Sequence, residues 1–123
     1  FEAALRGLCL ERDLAVIAYF GLARGYLTGK YRSIDDLSKS RRGSGVRAYI
    51  EGKGPRVLAV MDAIAADRGT GLAAIALAWL MAKPGVTAPI ASATSVEQLA
   101  ELMDALTLEL TPGEMRRLDA AGA

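Results

Sequence analysis

The sequence contains no histidine among its 123 residues. This absence excludes the usual general base, the nucleophiles that pair serine or cysteine with histidine, and most zinc sites. We therefore expect neither a metal site nor catalytic residues of those kinds in the chain. The single cysteine, Cys9, cannot form a disulfide within the chain and favours a reducing compartment, so we expect a cytoplasmic protein.

The chain also lacks an excess of one charge and an apolar run of membrane length. Its net charge is +1, and it has no dense basic tract beyond Arg41 and Arg42, which argues against a nucleic-acid partner. The longest apolar run, Leu72 to Ala82, is far shorter than the roughly 20 residues that span a bilayer, so it predicts a buried helix. With 52% hydrophobic and 24% charged residues, the sequence is typical of one α/β domain or a piece of one.

Apolar periodicity and turn residues predict strands that alternate with helices, which implies a parallel sheet. The chain opens inside a helical pattern and without an initiator methionine, so we expect a further segment to precede it. Only two strands are predicted, and two parallel strands do not make a domain. The predicted order is a helix around Leu5, a strand from Leu14 to Phe20, a long segment from Gly21 to Pro55 with a short helix from Ser33 to Leu37, helices from Arg56 to Asp67 and from Gly71 to Lys83, a strand from Val86 to Ile90, and helices that begin at Val96 and Pro112.

A run of small and hydroxylated residues, ASATS, separates the second strand from the helix that begins at Val96. Ser95 and Gln98 have the spacing of a capping box. The unpaired N–H groups and positive dipole end of this helix suit a phosphate. The same residues also suit a plain strand-to-helix connection, and spacing alone leaves both interpretations open.

The segment YFGLARGYLTGKY, residues 19–31, follows the first predicted strand. In α/β proteins ligands bind at the carboxyl ends of strands, so Lys30 is placed to neutralise a phosphate and Tyr19 to offer a flat aromatic face. Alternatively, Tyr19 is a residue at the edge of the core and Lys30 a solvated charge. The long segment from Gly21 to Pro55 is either a mobile flap over a ligand or a solvated excursion.

Several linked motifs resemble the aldo/keto reductase family over essentially the whole chain. They are AYFGLARGYLTGKYR, KSRRGSGV, ALAWLMAKPGVTAPIASATSVEQL and LELTPGEMRRLD, in the order that the family shows. The family fold is a (β/α)8 TIM barrel, and its members reduce aldehydes and ketones with a nicotinamide cofactor. The resemblance implies that residues 1–123 are the C-terminal portion of one such barrel: the last two β/α units plus the terminal helices, with two parallel strands and no closed barrel.

The resemblance implies cofactor contacts in the first loop. Tyr19 matches the aromatic position that commonly stacks on the nicotinamide. Leu22, Ala23 and Gly25 match backbone positions near the pyrophosphate, and Lys30 matches the lysine of the family's GKY motif, also near the phosphates.

Further cofactor contacts are implied later in the chain. Arg42 matches the arginine of the loop that folds over the cofactor. Ser92 and Thr94 match the phosphate-and-ribose loop, and Gln98 and Glu101 match positions at the adenosine end. Many relatives have Lys and Arg where Ser92 and Gln98 stand, so we expect NADPH with at most a modest preference over NADH.

The sequence also departs from the family pattern in the first loop and in the helix that begins at Val96. Phe20 and Gly21 stand where the family frequently has Ser-Pro, and Leu102 stands for a frequent Asn. The family's catalytic Asp, Tyr, Lys and His come from the first half of the barrel, so this chain is expected to hold the cofactor-binding half and to be inactive alone.

The resulting hypothesis is an NAD(P)H-dependent oxidoreductase that reduces a small carbonyl substrate by hydride transfer. We expect the chain to self-associate or to join the missing N-terminal half of the barrel. One alternative is a non-catalytic nicotinamide-binding regulatory relative, distinguished by the four catalytic positions of the other half. Another is an autonomous structural or interaction module, distinguished by whether the gene begins near Phe1.

Overall fold

The computed structural model describes residues 1–2, 4–39, 41 and 43–123. These residues form helices around a two-stranded parallel sheet and close no barrel. The helices are α1 Ala4–Glu11, α2 Arg47–Glu51, α3 Gly54–Arg68, α4 Leu72–Met81, α5 Val96–Asp104 and α6 Pro112–Gly122; the strands are β1 Ile17–Ala18 and β2 Ala88–Pro89; short 3-10 helices span Ala23–Thr28, Ile34–Lys39 and Gly43–Gly45.

Strands β1 and β2 pair in parallel, with Ile17 opposite Ala88 and Ala18 opposite Pro89. Both lie inside the predicted strands but are much shorter. The continuously apolar run from Leu14 to Phe20 predicts a strand that is covered on both faces. That prediction is wrong within this chain, because Ile17 is 59% exposed. The other three strand residues are half-buried, and α4 packs against β2.

The core lies among α3, α4, α6 and the segment that follows β1. Tyr26, Tyr31, Met61 and Ile75 are almost completely buried there. Helix α4 is buried on nearly every side from Ala73 to Ala78, as its continuous apolar sequence predicts.

In the sequence, Gly69 predicts the end of α3, Thr70 the N-cap of α4, and Thr111 with Glu114 a capping box on α6. Gly69 ends α3 in the left-handed conformation, with φ 63°, as predicted. The predicted cap at Thr70 is wrong, because Gly71 is the N-cap of α4 and has no side chain to offer. The carboxylate of Glu101 accepts the N–H of Ala73 instead, at 3.3 Å. The capping box of α6 is confirmed: Thr111 accepts from Glu114 and Glu114 from Thr111.

The long segment after β1 is more regular than its composition predicts. Its predicted short helix is present as the 3-10 helix Ile34–Lys39, where Asp36 accepts the N–H groups of Arg32 and Ser33 at 2.7 and 3.1 Å. Helix α2 was not predicted, since only its preceding residue, Val46, is completely buried and its sequence lacks an apolar repeat.

Among the described residues no single helix is long and apolar enough to cross a membrane. Helices α3 and α4 satisfy the criterion only when taken together, and they are bent by 102° at the break between them. Within the same residues no group of three or more Cys, Asp or Glu side chains is arranged to hold a metal ion.

The ion pair between α3 and α6 predicts a pH-dependent contribution to stability. Glu114 accepts hydrogen bonds from Arg68 at 2.8 and 2.7 Å and from the N–H of Thr111 at 2.8 Å. Arg68, followed by that backbone contact, lowers the pKa of Glu114 from 4.5 to about 2. Because the folded pKa lies below the unfolded one, this stabilisation is present above the unfolded pKa and is lost as pH falls through the folded pKa.

We therefore expect Glu114→Gln to lower the urea midpoint near neutral pH and to approach the parent protein as the pH falls from about 5 to about 2. Urea unfolding at several pH values measures the difference, with the exposed Glu109→Gln as the control. A difference that stays constant throughout the acid range would contradict the assignment.

Candidate functional site

The strand register brings the ends of β1 and β2 to one edge of the structure. The N–H of Ile90 donates to the carbonyl of Ala18 at 2.8 Å, so the chain leaves both strands at the same, carboxyl, edge. The loop that begins at Tyr19 and the loop that begins at Ile90 therefore start side by side. Gly21 and Ala91 therefore follow two neighbouring parallel strands at that edge.

The loop after β1 holds an unusual series of left-handed residues. Phe20, Ala23, Arg24 and Gly25 have φ angles of 60°, 48°, 59° and 90°. For a residue other than glycine or asparagine such a conformation costs roughly 1–2 kcal/mol. Strain of this kind persists where surrounding contacts enforce it and is common at functional sites, so it marks this loop as a candidate.

Tyr19 and Lys30 lie at the two ends of this loop region. Tyr19 is 71% exposed, and its ring lies 4.6 Å from the ring of Phe20, centroid to centroid. The ammonium of Lys30 lies 5.0 Å from the ring centroid of Tyr31. Lys30 also folds back over Gly25, where a Cβ atom would lie 3.1 Å from its Cε. Because residue 25 is a glycine, the side chain of Lys30 can lie close over its backbone.

Leu22 and Ala23 lie between these ends and are half-buried. Both pack against the hydrophobic core, so they anchor the loop. Gly25 donates its N–H to the carbonyl of Leu22 at 2.9 Å. The backbone of this stretch is thus held by contacts within the chain.

The loop after β2 ends in an ordered helix start. Ser95 caps α5 by accepting the N–H of Gln98 at 3.1 Å, as predicted. The side chain of Gln98 does not complete the predicted box on Ser95. It accepts instead from the N–H and the hydroxyl of Thr94, at 2.9 and 3.0 Å. Thr94 and Gln98 thus lie together, and Ser92 is exposed three residues before Ser95.

The other predicted cofactor residues are placed differently. Glu101 is half-buried and bonds to Ala73, so its carboxylate joins α5 to the start of α4. A Cβ atom at Gly71 would overlap the carboxylate, so a larger residue there would displace the side chain of Glu101. Arg42 lies outside the described residues. Across the described ranges, no side-chain hydrogen bond or ion pair links the loop of Tyr19 with the loop of Ser92.

An apolar cleft of about 520 Å³ adjoins the loop after β1. Of the predicted cofactor residues, Tyr19 and Ala23 line it. The lining also includes Tyr49, Met61 and Trp79, which sequence patterns placed only in long loops or helices.

Comparisons with known proteins found a family match and several curated relatives. A model of the aldo/keto reductase family matches residues 1–123. The chain is 32% identical over 120 residues to a chloroplastic pyridoxal reductase of Arabidopsis thaliana, covering 98% of this chain and 32% of that protein. It is 41% identical over 116 residues to an uncharacterized oxidoreductase of Mycobacterium tuberculosis, covering 88% and 34%.

A third relative is the aldo-keto reductase yakc of Schizosaccharomyces pombe, whose name specifies NADP(+). It is 28% identical over 123 residues, which cover 98% of this chain and 36% of that protein. The chain thus spans about a third of the length of the curated relatives that it matches. By the family match over all its residues, the chain belongs to the aldo/keto reductase family of oxidoreductases.

Proposed function

We propose that the protein is an NAD(P)H-dependent oxidoreductase that reduces aldehydes or ketones by hydride transfer. In this proposal the chain is the C-terminal part of a (β/α)8 barrel and supplies its cofactor-binding half, and the catalytic set belongs to the rest of the barrel. The observation that carries the proposal is the shared carboxyl edge of β1 and β2, where the loops of Tyr19 and Ser92 begin side by side. Ligands of parallel α/β proteins bind at that edge.

The residues at this edge fit a dinucleotide. The exposed ring of Tyr19 offers a face to a nicotinamide, and the ammonium of Lys30 offers a charge to a phosphate. Helix α5 begins within the second loop and directs its positive dipole end towards it. The residues that we propose to contact the cofactor are Tyr19, Leu22, Ala23, Gly25, Lys30, Arg42, Ser92, Thr94, Gln98 and Glu101.

When bound, a reduced nicotinamide supplies the hydride for carbonyl reduction. The residues of this chain bind and orient the cofactor. The hydrogen bonds from Thr94 to Gln98 restrain the loop after β2. The packing of Leu22 against the core restrains the loop after β1. Such preorganisation reduces the entropy that binding must otherwise remove.

NADPH is the proposed cofactor, and NADH is the alternative. One relative carries NADP(+) in its name, which supports NADPH. Ser92 and Gln98 bring no positive charge to the second loop, so a strong preference for the 2′-phosphate is not expected. The lone cysteine supports a cytoplasmic location.

The role of Lys30 provides the test. We expect Lys30→Met to weaken NADPH and NADH binding alike, because a charge-assisted contact to the pyrophosphate contributes roughly 1.5–3 kcal/mol, or about one to two decades in affinity. Fluorescence titration measures both affinities, and Arg116→Met is the control, since Arg116 is exposed on α6 and outside the proposed set. Unchanged affinities would refute the role of Lys30. A loss confined to NADPH would assign Lys30 to the 2′-phosphate instead.

The proposal also includes a protein partner, either a second copy of this chain or the remaining part of a barrel. Large apolar side chains are exposed in two stretches of the chain, and such surfaces favour association. From α1 to β1 they are Phe1, Leu5, Leu8, Leu10, Leu14 and Ile17; from the end of β2 through α5 they are Ile90, Val96, Leu99, Met103 and Leu106.

We expect the isolated chain to form dimers or larger species at micromolar concentration. Light scattering coupled to size-exclusion chromatography measures the mass. Leu99→Glu on the exposed face of α5 should reduce association, whereas Arg116→Glu on the surface of α6 serves as the control. A stable monomer of the unmodified chain would contradict this part of the proposal.

A further inference from the structure

Three helices and the segment after β1 enclose the apolar cleft. Helices α3, α4 and α6 each contribute to its wall, for example through Val57, Trp79 and Leu118. Its volume of about 520 Å³ lies within the range of roughly 300–1,000 Å³ that is typical of sites for small organic molecules. The proposed cofactor contacts do not account for this cleft, because only Tyr19 and Ala23 of that set line it.

Aromatic rings form much of the wall of the cleft. Tyr19, Phe20 and Tyr49 line it and are 71%, 55% and 38% exposed. Trp79 also lines it and is held in place, because its indole N–H donates to the carboxylate of Asp119 at 2.8 Å. Exposed rings on a concave surface lose unfavourable contact with water when a flat apolar molecule enters. The wall therefore favours an aromatic ligand.

Lys53 is the only charged side chain among the described residues that line the cleft. Its ammonium donates to the carbonyl of Gly122 at 3.4 Å, and within the described part of the chain no carboxylate lies within 4.0 Å of it. Arg56 pairs with the end of α6 instead, where it donates to the carbonyls of Ala121 and Ala123 at 2.9 Å each. An ammonium has three N–H donors, so Lys53 keeps both donors and an uncompensated charge for an anionic group.

We propose that this cleft is a binding site for a small aromatic carboxylate, whose ring lies against the aromatic wall and whose carboxylate pairs with Lys53. A neutral aromatic molecule gains the ring contacts but not the ion pair. An aliphatic carboxylate gains the ion pair but not the ring contacts. The inference does not depend on the proposed function, because neither the wall nor Lys53 requires a dinucleotide.

Calorimetric titration of the 123-residue chain tests the inference with 2-naphthoate, 2-naphthamide and hexanoate as probes. We expect 2-naphthoate to bind more tightly than either of the others, because it alone combines the ring with the charge. Trp79 is the only tryptophan of the chain, so its fluorescence, corrected for absorbance by the probe, should change when 2-naphthoate binds. Binding that leaves the emission of Trp79 unchanged would place the probe elsewhere and overturn the inference.

The charge of Lys53 is tested by its removal. Lys53→Met should weaken 2-naphthoate binding roughly two- to fivefold, as expected for an ion pair with an exposed lysine, and leave 2-naphthamide binding unchanged. Arg116→Met removes one exposed positive charge from α6, outside the cleft, and should bind both probes as the parent does. An equal loss for the two probes, or no loss for either, would overturn the role of Lys53.

The location of the site is tested by filling the cleft. Ala48 lines the cleft and is exposed, so Ala48→Phe adds a ring there without changing a buried residue. Both naphthyl probes should bind about tenfold more weakly or worse, because the added ring overlaps them. Ala120→Phe, exposed on α6 and outside the cleft, is the matched control, and circular dichroism identifies any loss of fold. Parent-like binding in a folded Ala48→Phe variant would show that the probes bind the exposed apolar stretches instead and would overturn the inference.

Discussion

The 123-residue chain alone is expected to reduce no aldehyde or ketone with NADPH. It contains no histidine, and its tyrosine and lysine at the carboxyl edge, Tyr19 and Lys30, are proposed to contact the cofactor. Reduction of a carbonyl to an alcohol needs a proton on the carbonyl oxygen as well as the hydride, and a bound cofactor alone supplies only the hydride. We therefore expect no carbonyl reduction at all by the isolated chain, not merely a reduced rate.

Absorbance at the nicotinamide band, with aldehyde and ketone substrates at high protein concentration, measures this turnover. Binding must be measured on the same preparation, so that inactivity is not confused with failure to take up the cofactor. Turnover that survives stringent purification and scales with the chain would show that a catalytic set exists within these residues.

A second large effect is expected from Gly54→Ala at the start of α3. Gly54 is buried, and a Cβ atom there would overlap the carbonyl oxygen of Tyr49 and the hydroxyl of Tyr26. Tyr26 belongs to the core and is 2% exposed. Overpacking of this kind costs typically 1–3 kcal/mol, which exceeds the gain of up to about 1 kcal/mol from replacing glycine in a helix.

Urea unfolding measures the change in the free energy of unfolding. Gly122→Ala is the matched control, because a Cβ atom at Gly122 meets nothing within 4 Å. The control is expected to be neutral or slightly stabilising. Equal stabilities for the two variants would show that the start of α3 can shift away from Tyr26 without cost.

Local signals were enough to predict most of the helices. The end of α3 follows from Gly69, and the start of α6 follows from Thr111 and Glu114, because each of these contacts involves residues within one helical turn. The start of α4 could not be predicted in the same way. Its N–H group at Ala73 bonds to Glu101, 28 residues later, and sequence spacing does not reveal such a contact.

The sequence predicted the edge of the sheet at which the candidate site lies, but not the conformation of the loops there. Two predicted parallel strands place Gly21 and Ala91 at one end, whatever the details of the loops. The left-handed conformation of Phe20 and Arg24 could not be predicted, since neither residue type favours it. Nor does the sequence reveal that Gln98 bonds to Thr94, because the capping-box pattern favours Ser95 equally well.

The pairing of β1 with β2 has a consequence for the dynamics of this edge. Each strand is two residues long, and the exposed residues Thr87 and Ile90 donate their amides to the carbonyls of Val16 and Ala18 at 2.8 Å each. Their protons should exchange with solvent through local opening, far faster than those of the buried Ile75 in α4, which exchange only when the core unfolds. A ligand that contacts both loops keeps the two strands closed and slows that exchange. The affinity of such a ligand therefore includes the free energy of closing the strand pair.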